Sequence, residues 1–150
     1  MALKEQINID LKTALLGGDR FTGEVLRGLK AAILNEEVAK SKREEGLDET
    51  SIEELITREI KKRNESATIY DGAGRPELSE TERAEAKVLA VYLPAQVSEV
   101  EIMKAIERSS AELGVSSMAG MGQVIGAVKK EFGTSADGAL IATLVKKTLQ

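Results

Sequence analysis

Four lysines, at 129, 130, 146 and 147, stand among glycines at 120, 122, 126, 133 and 138, the densest gathering of chemically suggestive residues in the chain. Ammonium pairs suit phosphate, and glycine lets another backbone come close. The stretch "TSADG", residues 134–138, adds the N–H groups and positive dipole end of a helix start, which also favour phosphate. These residues admit two readings: an RNA-backbone patch, or an ordinary solvated face with exposed lysines. Composition alone favours the solvated face.

Nucleotide chemistry does not fit. The spacing Gly120, Gly122, Gly126 lacks the preceding strand, the third-glycine spacing and the later acid of a dinucleotide fingerprint. No Gly-Lys-Ser/Thr of a P-loop is present. Cysteine and histidine are absent, which removes disulfides, thiolate nucleophiles, common zinc sites, Ser-His-Asp triads and imidazole acid–base catalysis. No metal and no cofactor is implied, and no catalytic residue is assigned.

The elements that must carry this face read as helices. Leu3, Ile7, Leu11 and Leu15 step by four until Gly17 and Gly18. Asp19 is placed to cap a second helix bearing Phe21, Val25, Leu29, Ala32 and Ile33. "AKSKREEGLDE" has no apolar periodicity and reads as a solvated loop. Thr50 or Ser51 opens a third helix as a capping box with Glu53 or Glu54, and Ile52, Ile56, Ile60, Arg63, Ala67 and Tyr70 share a face. "DGAGRP" is a turn, and Ser79 with Glu82 is expected to cap a fourth helix whose face holds Glu85, Val88, Leu89 and Tyr92. Ser98 with Glu101 caps a fifth, carrying Ile102, Ile106, Ser109 and Leu113.

In the sixth helix Met121, Val124, Ile125, Val128 and Phe132 form the apolar stripe, while Gly122 and Gly126 share a neighbouring strip. Small residues four apart favour close packing of another backbone over a ligand role. Gly133 should end this helix as a left-handed cap, and Ser135 or Asp137 should start the last, with Leu140, Ile141, Leu144, Val145 and Leu149 inward.

No period-two alternation of strand length appears, so the expected fold is all-α. Pro94 disfavours helix at Leu93. It divides an N-terminal helical bundle of about four helices, residues 1–94, from a C-terminal three-helix module, residues 95–150. The first holds 15 basic and 19 acidic residues, the second six of each. A net charge of −4 excludes gripping nucleic acid by bulk positive charge, so any such contact is local. No signal-peptide pattern and no apolar run of membrane-spanning length is found, and the cytoplasm is the expected location.

Arg63 and Glu85 are ions on apolar faces. Left unpaired, either would cost several kcal/mol, so they are expected to pair with each other, or Arg63 with Glu36 or Glu37, across helices. Arg75, in the glycine-rich turn, can pair with one of these acids or reach a ligand, and the structural role is favoured; Tyr70 and Tyr92 read as core rather than as base-stacking platforms.

The ordered set Lys62-Arg63 with Ser66, Gly74-Arg75, "YLP" with Gln96, Met121-Gly122 with Gly126, and Ala136-Asp137-Gly138 resembles the GatB/YqeY domain family across nearly the whole chain. "LRGLKAAILNEEVAK" also looks like the second helix of its stand-alone YqeY-like members. The resemblance implies kinship with a helical tail on the B subunit of the tRNA-dependent amidotransferase. That enzyme is a carbon–nitrogen ligase using glutamine as amido donor, and the tail helps to hold tRNA. Met121, Gly122, Gly126, Lys129, Ala136, Asp137, Gly138 and Lys146 carry over as the tail motif. The ATP-using cradle and glutaminase sites do not, and Ser109-Ser110 and Ser116-Ser117 lack amidase surroundings. The expectation is therefore a non-catalytic tRNA-binding or accessory protein, with tRNA-binding lysines 129, 130, 146 and 147. Its expected partners are tRNA, bound weakly or with help, and amidotransferase or aminoacyl-tRNA synthetase components. The alternative is a protein-interaction adaptor without tRNA binding.

Overall fold

A computed structural model describes residues 2–150. Among them the chain is all-helical, with seven α-helices and no strand. It divides into two compact units, Met1–Leu93 and Pro94–Gln150.

The first unit is built from α1 (Leu3–Leu16), α2 (Arg20–Ala39), α3 (Glu49–Gly72) and α4 (Pro76–Ala90). Ile7, Leu26, Leu29, Ile33, Ile52, Ile56 and Leu89 are each no more than 2% exposed and form one aliphatic core. Burial of such a side chain is worth about 1.5–3 kcal/mol. A strict step of four drifts around a helix of 3.6 residues per turn. By its last turn α1 therefore buries Ala14, while Leu15 is half exposed and covers Gly23 of α2.

One expected helix start holds and two are displaced. Asp19 caps α2, accepting from Thr22 N at 3.1 Å. The cap of α3, however, is Asp48, whose carboxylate accepts from Ser51 N at 2.7 Å, and Thr50 and Ser51 fall inside the first turn. Asp48 takes the position because an aspartate oxygen reaches the third amide of a starting helix as well as a hydroxyl does and adds charge to the dipole. Pro76 starts α4 three residues before Ser79. Its fixed φ is preorganised for a first helical position. Ser79 is thereby buried inside α4, where its Oγ accepts from the Arg83 guanidinium. Arg83 also reaches back to Asp71 Oδ2 at 2.7 Å, tying the end of α3 to α4.

The 40–48 loop is mostly solvated, but Leu47 turns into the core and its N–H donates to Glu37 Oε2 at 3.0 Å. Glu37, 1% exposed, also receives Lys4 Nζ at 2.8 Å. The Lys4 ammonium and the Leu47 amide hold its carboxyl below the ordinary value of 4.5 against the effect of burial. Arg63 donates to Glu59 Oε2 at 2.9 Å, and its Nε lies 3.3 Å from Glu85 Oε2 on α4, close enough to pair but without hydrogen-bond alignment. Glu36 instead pairs with Lys40 and Arg58, so neither Glu36 nor Glu37 serves Arg63. Tyr92, 8% exposed, donates to Asp10 Oδ2 at 2.6 Å. Burial, with that acceptor, pushes its phenol above the ordinary range. Exposed Arg75 pairs with its neighbour Glu77 at 3.2 Å.

The second unit packs α5 (Glu99–Leu113), α6 (Met121–Phe132) and α7 (Gly138–Leu149) around Ile102, Ile106, Val124, Val128, Ile141 and Val145. Ser98 caps α5, accepting from Glu101 N at 3.2 Å. A 3₁₀ turn, Met118–Gly120, leads into α6, and another, Gly133–Ser135, follows it. No described helix is long and apolar enough to cross a membrane.

Candidate nucleic-acid interface

The glycines of the second unit separate into distinct physical cases. Gly120 is required by packing: a Cβ there would lie 2.4 Å from Val115 Cγ1 and 2.6 Å from Cγ2. Gly133 is required by the backbone, at φ +55°, ψ −131°. That ψ is not the one of the expected left-handed cap, because the chain swings through a 3₁₀ turn into extended Ala136 rather than closing the helix on itself. Ala136 is 8% exposed and part of the core, which limits that position to a small apolar side chain.

Gly122 and Gly126 are the opposite case. Both are exposed, and a Cβ at either would meet nothing within 4 Å. No other backbone among the described residues makes the close approach that this strip would admit. The apolar stripe of Val124 and Val128, with Met121, Ile125 and Phe132 beside it, turns the glycine strip outward. Across the two turns around Gly122 and Gly126, α6 presents a strip without side chains, which ends at Lys129 and Lys130 in its last turn.

Lys129 has a defined place. Its stem lies over the amino end of α7, where a Cβ on Gly138 would come 2.9 Å from Lys129 Cε and 3.3 Å from Nζ. Beside it Asp137, not Ser135, caps α7, accepting from Ala139 N at 3.0 Å. The tail-motif residues Lys129, Ala136, Asp137 and Gly138 thus gather at the junction of α6 and α7. Lys146 and Lys147 do not join them. They occupy the last turn of α7, eight residues beyond Gly138 and about 12 Å further along the axis at the helical rise. The four lysines form two pairs at opposite ends of α7 rather than one cluster.

Electrostatically this face is open. The acid of α6, Glu131, is engaged by Arg108 of α5. Among the described residues, none of Lys129, Lys130, Lys146 and Lys147 has an acidic partner within 4.0 Å, and all four are exposed. Among the same residues, no group of three or more acidic side chains is placed to hold a metal ion. Ser109 is 6% exposed inside α5, where it serves packing.

Gln96 contributes to this face through its bonds to backbone carbonyls. Gln96 Nε2 donates to Thr134 O at 2.9 Å and to Pro94 O at 3.0 Å, while Val97 N donates to Ser135 O at 2.8 Å. The 94–97 segment is thereby fastened to the α6–α7 turn that presents Lys129. Periodicity could not reveal it, because the acceptors are carbonyls of a distant turn; only its place in the family pattern marked Gln96.

A comparison with curated proteins finds no match. The model of the Yqey-like protein family matches residues 4–149. This is the domain that also forms the C-terminal tails of GatB, and the chain, covered by it almost from end to end, belongs to the YqeY family.

Proposed function

We propose that the second unit holds tRNA by its sugar–phosphate backbone along the exposed faces of α6 and α7, and that the protein is a non-catalytic accessory to tRNA-dependent amidotransferase chemistry. The observation that carries this reading is the conjunction of an outward glycine strip with unpaired ammonium groups on α6. Glycine in a helix interior costs about 0.5–1 kcal/mol relative to alanine, and nothing within 4 Å of Gly122 or Gly126 accounts for it. A surface that must come close from outside does account for it. RNA fits better than a nucleotide cofactor because the charge is spread between two ends of a helix rather than focused on one phosphate group.

The expected binding is modest. Four lysines limit the number of neutralised phosphates, and the protein as a whole is acidic. A second reading, a protein adaptor, is supported by the same glycine strip, because small residues also let a partner helix pack closely. Salt separates the two. With four phosphate contacts, affinity for total tRNA falls about a hundredfold between 50 and 200 mM salt, whereas an apolar helix contact changes little. Equilibrium binding at these two concentrations, beside a variant with Lys129, Lys130, Lys146 and Lys147 changed to glutamine, is the test. No binding of the folded protein at low salt, or binding that the variant retains in full, would overturn the tRNA reading.

A further inference from the structure

We infer that the first unit contains a binding site for a small monocarboxylate with an aliphatic tail, in the cleft between α1 and α2. The cleft is a half-open cavity of about 260 Å³ lined by Lys4, Ile7, Lys30, Ala31, Ile33, Leu34 and Glu37. Its walls are mostly aliphatic: Ile7 and Ile33 are no more than 2% exposed, and Leu34 stands at 45% exposure. Such space suits a short hydrocarbon chain, at the small end of ligand pockets.

Charge selects the head group. Of the three ionic groups in the lining, the Glu37 carboxylate is already paired, taking Lys4 Nζ at 3.1 and 2.8 Å on its two oxygens and the Leu47 amide at 3.0 Å. Lys4 is neutralised by that contact. Lys30 is exposed and has no acidic partner within 4.0 Å among the described residues. The cleft therefore carries one uncompensated positive charge beside an apolar wall. A single anionic head can meet Lys30 while the tail covers Ala31, Ile33 and Leu34. A cationic head would face both ammonium groups and a carboxylate whose charge is already paired with Lys4.

This inference concerns the first unit alone and does not depend on the tRNA reading. The test is titration of the full-length protein with octanoate, followed by backbone amide NMR, beside octylammonium, 1-octanol and the Lys30→Gln variant. Octanoate should give saturable shifts centred on Ala31, Ile33 and Leu34. Because Lys30 is exposed, Lys30→Gln should leave the fold intact and weaken octanoate binding about three- to fivefold. Octylammonium and octanol should both bind more weakly than octanoate. Absence of saturable shifts in the folded protein would overturn the proposal. So would octylammonium or octanol binding as tightly as octanoate, or an unchanged affinity in Lys30→Gln.

Discussion

The α3–α4 pair of the first unit and the α6–α7 pair of the second are both helix–turn–helix arrangements, but they treat charge in opposite ways. In α3 and α4 ions are matched: partly buried Arg63 with Glu59 and Glu85, and half-exposed Arg83 with Asp71. On α6 and α7, lysines stand exposed without acids, and two glycines leave the helix surface bare. Paired ions at a packed face fix how two helices meet. The unpaired lysines, in the last turns of α6 and α7, gain only the modest favourable term of a cation at a helix C-terminus and fix no contact between helices. This contrast is why the second unit is proposed as the surface for an outside partner.

The largest effect is expected where a matched ion is removed. Arg63→Ala should lower the stability of the first unit by about 2–3 kcal/mol, because Glu59 and Glu85, both partly buried, lose their guanidinium partner. Chemical denaturation followed by helical signal measures it, and an unchanged midpoint would break the comparison on the α3–α4 side. Next is Gly120→Ala, where the new methyl meets Val115 and should cost about 1–2 kcal/mol in the second unit. Hydrogen exchange at the α6 amides is the direct readout.

Acid should act on the first unit. Its carboxyls at Glu37, Glu36, Glu59 and Asp71 are held below their ordinary values, in Glu37 by the Lys4 ammonium foremost. A depressed carboxyl contributes stability that is fully present above the unfolded value, 4.5 for Glu37, and is lost as pH falls through the lower folded value. Protection of the α2 and α3 amides, relative to the intrinsic exchange rate at each pH, should therefore fall progressively below about pH 4.5, and Glu37→Gln should reduce that dependence. The smallest effect has the opposite sign. Gly122→Ala and Gly126→Ala each gain helix propensity without a clash and should raise stability by about 0.5–1 kcal/mol, read as a higher melting temperature.

Much of the fold was legible because local signals and apolar periodicity agree. Asp19 and Ser98 cap the helices they precede, and Ile52, Ile56 and Ala67 face inward with the expected spacing. The misplacements share one cause, competition between adjacent start signals. Asp48 prevailed over Thr50 and Ser51, and Pro76 over Ser79. The burial of Glu37 was not legible, because its partners Lys4 and Leu47 lie 33 positions before and ten after it. The lysines of the candidate face were visible as residues, but their arrangement was not: spacing alone cannot tell that Lys129 lies across Gly138 while Lys146 and Lys147 stand a helix length away. The glycine strip was legible only in part, for a related reason. Small residues four apart announce a close approach, but only coordinates reveal that nothing in this unit makes it.

The measurement that bears most directly on the outward face of α6 is tRNA affinity at low salt for Gly126→Leu, taken together with its melting curve. With open space at this position, leucine should leave the fold as stable as before or more so. It would nevertheless stand between the glycine strip and an approaching phosphate backbone, and affinity should fall about tenfold, equivalent to about 1.4 kcal/mol. Undiminished tRNA binding by a folded Gly126→Leu protein would contradict the account.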